Sequence, residues 1–338
     1  MMAFAAPLHG GDLDYAIRTG DALGFDVGRK EEWLDLSTGI NPTPYPVSNF
    51  SPELWHCLPS PSAHDALINV ARDYYRVPEG AELLAASGSA LLISLLPVVL
   101  PELPVKVLSP TYSDHERSWA HSRNSVTAVS RLPEPGPSVV VLTNPNNPDG
   151  RMLRLEELAK FAHCQTKQGG WLVVDEAFGD LIPEESAVSL SAYFNVIVLK
   201  SVGKFFGLGG LRLGFVVTPT YLALNFKHLL GSWSVSGPAL EIGSKALSDV
   251  QWQKATLQAL QVKSDRLTDL LKEGGLLSPG GTFLYRLVDS SDASNIYGNL
   301  LRAKIFVRAF DYNSNWLRIG LPADDDGFER LKDALSGS

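Results

Sequence analysis

Lys204 and Asp175 are the residues of this chain with the most chemistry to offer. Lys204 follows an apolar run at 196–199 and opens a glycine-rich stretch, KFFGLGGLRLG. Phe205 and Phe206 beside it favour a desolvated amine, whose lowered pKa frees the nitrogen to attack a carbonyl. Asp175, in VVDEAF, closes another apolar run, where a carboxylate could keep a ring nitrogen protonated. Ser87-Gly88-Ser89 opens a helical segment with small residues that let backbone N–H groups reach a phosphate. Arg212, eight residues after Lys204, adds a cation for the same phosphate, and Tyr112, in SPTYSDH, offers a flat ring for stacking. The set is complementary to one kind of ligand: an aromatic cationic ring with a phosphate arm and a carbonyl. Singly, each residue has a plainer reading, as a solvated lysine, a helix cap, a surface ion pair or a core tyrosine.

The elements that must position these groups follow from apolar patterning. Short runs at 105–108, 139–142, 171–174 and 196–199 read as strands, and segments 90–100 and 155–164 read as helices. Fully apolar strands alternating with helices predict an α/β fold whose mostly parallel sheet is covered on both faces. In such sheets ligands gather at the carboxyl ends of the strands. Asn144, Asn147, Asp175, Ser201 and Lys204 all follow a run directly. Beyond 216 the pattern changes to a long helix at 252–271, strands at 283–287, 305–310 and 316–321, and a last helix at 327–335, which together predict a separate α+β domain. Residues 41–61 and 131–137 read as connections.

Composition narrows the partners. The chain has 338 residues, 45% hydrophobic and 20% charged, enough for one large domain with a smaller companion. A net charge of −8 without basic blocks argues against nucleic acid and against anionic membrane surfaces. The most apolar segment, 91–100, is interrupted by Pro97 and falls short of the ~20 residues a membrane span needs. The opening MMAFAAPLHGG lacks a basic leader, so a cytoplasmic protein is expected. Cys57 and Cys164 have neither CxxC nor metal-ligand spacing and are expected as reduced, buried thiols.

Order and spacing give these residues a family likeness. From Ser87 to Gly214 the chain resembles the fold-type I pyridoxal-phosphate enzymes. That resemblance implies a large domain at 45–220 with a seven-stranded, mostly parallel sheet between helices. It also implies a small domain from 1–44 and 221–338, with an N-terminal arm. It implies pyridoxal 5'-phosphate as cofactor, with Lys204 as the Schiff-base lysine and Asp175 paired to the pyridinium nitrogen. Ser87, Gly88, Ser89, Ser201 and Arg212 would hold the phosphate, Tyr112 would stack on the ring, and Asn147 of Asn147-Pro148-Asp149-Gly150 would face the ring hydroxyl. Arg318, in WLRIG, matches the arginine that clamps a substrate carboxylate. A homodimer is expected, because sites of this type usually draw on both subunits.

Within the family, the opening His9-Gly10-Gly11-Asp12, the phrase LDLSTGINPTPYP and SVGKFFGLGGLRLGF are similar to the threonine-phosphate decarboxylases of cobalamin biosynthesis. This likeness implies decarboxylation of O-phospho-L-threonine, a phosphorylated amino acid. His9, Gly10, Asn41 and Arg308 would hold the substrate phosphate, with Arg318 and Asn147 near its carboxylate. An aminotransferase of the histidinol-phosphate type is the alternative, and a cofactor-binding module without turnover is a third reading. Phe178, Leu58 and Asp149 depart from the family pattern: many relatives carry tyrosines at the first two positions and a threonine at the third.

Overall fold

The computed structural model describes residues 9–47, 51–120 and 122–336, so 1–8, read above for a leader, lie outside the described residues. In chain order the elements are α1 (Leu13–Ala22), β1 (Leu34–Asp35), α2 (Glu53–His56), α3 (Pro61–Tyr74), β2 (Ala81–Ala86), α4 (Ser89–Val99), β3 (Val105–Leu108), α5 (Asp114–Ala120) and β4 (Val126–Val129). Next come β5 (Val139–Thr143), α6 (Leu155–Lys167), β6 (Trp171–Glu176), β7 (Val196–Ser201), β8 (Gly214–Pro219), α7 (Thr220–Leu230) and α8 (Gly237–Ser248). The remainder is α9 (Val250–Glu273), β9 (Gly280–Thr282), β10 (Tyr285–Asp289), α10 (Ala293–Arg302), β11 (Ile305–Phe306), β12 (Arg308–Phe310), β13 (Asn313–Gly320) and α11 (Asp325–Ser336).

Contacts divide the chain into a larger unit, 44–147 with 151–254, and a smaller one formed by the residues up to 43, 148–150 and 255 onward. The larger unit runs on past the 220 read from sequence because α7 packs on β2 and α4, and α8 on α3. Its seven-stranded sheet has the order β2-β8-β7-β6-β5-β3-β4, and only β8 runs against its neighbours. β5, β6, β7 and β8 are buried at every position, as strands covered on both faces must be. Local chemistry starts the helices: Ser60 accepts a hydrogen bond from Ala63 N at 3.2 Å with Pro61 in the first turn of α3, and Ser236 does the same for α8.

In the smaller unit β12, β13, β10 and β9 form an antiparallel sheet, with α10 packed on β13 and α11 on α10. The run at 305–310, expected as one strand, is divided. Its first part pairs with β1 and its second with β13, and Val307 lies between. Cys57 and Cys164 are free, as expected, but exposed rather than buried. Cys164 lies on the polar side of α6, whose core face is Leu158, Phe161, Ala162 and Gln165. Among the described residues no helix is long and apolar enough to cross a membrane.

One glycine shows how tightly the sheet end is built. A Cβ on Gly214 would stand 2.5 Å from Ser89 N, 2.8 Å from Gly88 C and 2.9 Å from Lys200 O, all backbone atoms that cannot rotate away. Gly214→Ala is therefore expected to destabilise the protein by about 1–3 kcal/mol, the usual cost of overpacking, measured by denaturant unfolding.

Candidate active site

Because β2, β3, β5, β6 and β7 share one direction, their carboxyl ends share one edge of the sheet, and the chemistry-bearing residues lie just beyond them. After β2, Gly88 takes φ +90° and leads into α4, whose N-terminus has no side-chain cap. A Cβ at Gly88 would sit 2.6 Å from Arg212 Nη2, so the missing side chain leaves room for that guanidinium. Open helix N–H groups beside a cation make a cradle for a phosphate. Arg212 is itself in the left-handed region at φ +53°, with Nη1 donating to Gly209 O at 3.2 Å. Ser87 and Ser234 tie the cradle down: Ser87 Oγ donates to Ser234 O at 2.7 Å, and Ser234 Oγ to Ala85 O at 3.0 Å. Ser201 ends β7 opposite Gly214.

Asp175 is 3% exposed at the end of β6. Its Oδ1 accepts from Ala177 N at 3.0 Å, and its Oδ2 lies 2.9 Å from His115 Nε2. The plainer reading as a helix cap does not apply, since the carboxylate serves a turn and a buried imidazole. His115 is fully buried on α5, and its Nδ1 has no hydrogen-bond partner among the described residues. Sequence reasoning missed it. The available signal was its place three residues after Tyr112, one turn along the same segment. Tyr112 is half-buried, its ring edge-on to His115 with centroids 6.1 Å apart, and its hydroxyl donates to Asp114 Oδ2 at 2.7 Å. Burial first, and then the Asp114 carboxylate, raise the phenol well above its ordinary range, so it stays neutral.

The asparagines after β5 divide their work. Asn144 clamps the loop, accepting from Leu153 N at 2.8 Å and donating to Leu153 O at 3.0 Å, while Asn146 binds Thr111 and Pro110. Asn147 stands half-buried at the end of the loop so anchored. Lys204 is half-buried with its Nζ 5.6 Å from the Phe178 ring. Phe206 stacks on Trp252 at 5.6 Å and 12°, Phe205 meets both rings edge-on, and Phe178 adds an aromatic face near the amine.

In the smaller unit, Arg308 and Arg318 are direct partners across the β12–β13 ladder. Arg318 is 7% exposed, donates from Nη2 to Ser37 O at 2.6 Å and lies 5.1 Å from the Tyr285 ring. Burial, and to a smaller extent Arg308, lower its pKa to about 10, and burial lowers that of Arg308 too. Gly10 abuts Ser37 O so closely that no Cβ fits, and Gly11 N donates to Ser37 Oγ at 2.7 Å, which fixes the backbone beside His9. Asn41 is buried, and its Oδ1 accepts from Thr43 N at 2.9 Å.

A cradle for phosphate, a buried carboxylate for a cationic ring nitrogen, an aromatic platform and an amine fit the cofactor expected from the sequence. Residues 51–335 match the family model for class I and II aminotransferases. The chain belongs to that family. Among its members, a threonine-phosphate decarboxylase from a Sinorhizobium species is 42% identical over 98% of both chains. One from Pseudomonas aeruginosa is 38% identical over 97% of both. A solved histidinol-phosphate aminotransferase from Sinorhizobium meliloti, in complex with pyridoxal-5'-phosphate, superposes with a TM-score of 0.74 over 99% of this chain and 89% of that one. At 19% identity that likeness speaks for the fold alone.

For a class I and II aminotransferase the Asp175–His115 pair is testable directly. His115→Phe leaves Oδ2 of Asp175 buried without its partner. The variant should lose about 1–3 kcal/mol of stability in urea unfolding and bind pyridoxal phosphate more weakly in a cofactor titration.

Proposed function

We propose that this chain is a pyridoxal-phosphate-dependent decarboxylase that converts O-phospho-L-threonine into (R)-1-aminopropan-2-ol O-phosphate and CO2 in cobalamin biosynthesis. The observation that carries the substrate class is the Arg308–Arg318 pair. Like charges directly opposite in an antiparallel ladder destabilise the sheet, and burial of Arg318 sharpens the cost. Two guanidiniums side by side, on which Asp35 and Asp311 also act, suit a ligand with two anionic groups, and a phosphorylated amino acid has both a phosphate and a carboxylate. The two relatives of highest identity named above are called threonine-phosphate decarboxylases, which supports the same substrate.

The roles follow from the side chains. The cradle of Ser87, Gly88, Ser89, Ser201 and Arg212 holds the cofactor phosphate. Tyr112 supports the ring, Asn147 faces its hydroxyl, and Asp175 keeps the ring nitrogen protonated. When bound, the cofactor supplies an electron sink for the charge left at Cα as CO2 departs. Lys204 Nζ is the amine that anchors it and the group that returns a proton to Cα. Arg308, His9, Gly10 and Asn41 grip the substrate phosphate, and Arg318 with Asn147 orients the carboxylate so that this bond is the one broken.

Incubation with O-phospho-L-threonine should release CO2 with no keto acid present, Lys204→Ala should abolish release, and Arg308→Gln should raise KM roughly thirtyfold or more. An absolute need for a keto-acid acceptor would instead assign the chain to the histidinol-phosphate type of aminotransferase.

The enzyme works in the cytoplasm as a homodimer. Trp55 (70% exposed), Leu58, Val47 and Trp233 are exposed on the larger unit, and Trp55 and Val47 line a cleft of about 550 Å³ with Pro44, Tyr45, Leu208 and Leu211. Large apolar groups exposed around such a cleft, as Trp55 and Val47 are, suit a surface for association. Light scattering should give twice the 36.7 kDa mass of the chain, and Trp55→Glu should shift it toward the monomer.

A further inference from the structure

Behind the strand ends lies a second polar cluster. Glu176 and Lys200 are partners on the adjacent central strands β6 and β7. Alternation along a strand puts Glu176 on the sheet face opposite its neighbour Asp175. The two side chains form a buried ion pair. Ser186 Oγ donates to Glu176 Oε2 at 2.6 Å, Ala187 N donates to Oε1 at 2.6 Å, and the ammonium lies 5.0 Å from the Tyr75 ring. These charges satisfy each other.

Asp180 does not have that support. It is 6% exposed, and its Oδ2 has no hydrogen-bond partner among the described residues. The titratable groups that act on it are Lys200 from β7, Glu176 from β6 and the hydroxyls of Tyr74 and Tyr75, at the end of α3. Lys200 is paired with Glu176, and among the described residues Asp180 forms no ion pair within 4 Å. Only a proton on Asp180 balances the charge of this dry site. In agreement, burial above all raises the Asp180 pKa to about 7.

Its neighbours reach Lys204 from two directions. Asp180 lies two residues after Phe178, whose ring is 5.6 Å from Lys204 Nζ. The short helical turn that contains it, Gly179–Leu181, is pressed onto the ion pair, for a Cβ at Gly179 would meet Glu176 Cβ at 2.8 Å and Lys200 Nζ at 3.3 Å. On the other side Tyr74, whose hydroxyl acts on Asp180, packs its ring on Phe206 at 5.8 Å, two residues after Lys204.

We propose that Asp180 is a positioning residue for the Lys204 amine, acting through Phe178 on its own turn and through Tyr74 and Phe206 on the other side. The proposal rests on the reading of Lys204 as the cofactor-bearing amine. Ionised Asp180 would leave a net negative charge in the cluster and loosen the turn, and the amine would lose its bracket.

The test compares the holoenzymes of wild type, Asp180→Asn, Asp180→Ala and Tyr74→Phe. It follows the pH titration of the bound cofactor's visible absorbance, with kcat and KM, and the thermal stability of the apo-proteins against pH. Asp180→Ala should shift the spectral midpoint and lower kcat about tenfold with KM within about twofold, as expected for a misplaced reacting group. Asp180→Asn, neutral and of nearly the same shape, should restore most of kcat, and Tyr74→Phe should resemble the alanine variant in direction. The stability comparison has a definite sign. A carboxyl raised from 3.8 to about 7 in the folded protein contributes stability that is complete below its unfolded pKa and is lost as pH rises toward 7. Wild type should therefore lose stability relative to Asp180→Asn across that window, and the difference should be constant above it.

A spectral midpoint and kcat unchanged in Asp180→Ala, with only thermal stability altered, would overturn the proposal. Borohydride trapping separates this from failure of the underlying reading. Cofactor fixed on Lys204 with an unchanged midpoint refutes Asp180 alone, whereas cofactor not fixed on Lys204 refutes both.

Discussion

A carboxylate buried at the end of a central strand must have a partner, and much of the larger unit is arranged to supply one. Asp175 ends β6 with almost no exposure, and it keeps its charge company with the Ala177 N–H and the imidazole of His115. That need brings α5 down onto the sheet end and places Tyr112, on the same segment, beside His115. Asn144 N in turn donates to Asp175 O at 2.8 Å, so the β5 loop is tied to the same point.

Charge also organises the smaller unit, in the opposite sense. There the ladder places two guanidiniums opposite each other, and the Tyr285 ring and the Ser37 carbonyl flank the more buried one. The register of one hairpin thus sets two cations side by side, with Asp35 and Asp311 acting on them.

Much of the site was legible in sequence because parallel strands put their last residues at one edge. Once 139–142, 171–174 and 196–199 were recognised as buried strands, the polar residues after them had to be neighbours. Other features were less accessible. β2, with sequence AELLAA, carries no β-branched residue, so its pairing with β8 comes from tertiary packing rather than propensity. Phe206, two residues after Lys204, stacks on Trp252 some 46 positions away, and Phe178, far earlier in the chain, brings a ring near the amine. His115 gave a local hint through its spacing from Tyr112, but its partner is 60 residues distant.

Residue types and their order along the chain determined which groups exist to bind a phosphate, a cationic ring and a carbonyl, and which strand end each one follows. They determined as well that the fold would be α/β, because uninterrupted apolar strands cannot face water. Tertiary structure alone decided which of those groups are paired. Hydrogen bonds and ion pairs depend on distances of a few ångströms between remote segments. Strand register, helix placement and burial set those distances, and no one of the three is written in a local stretch of sequence. So the Asp175–His115 bond, the Arg308–Arg318 opposition and the Glu176–Lys200 pair belong to the folded molecule.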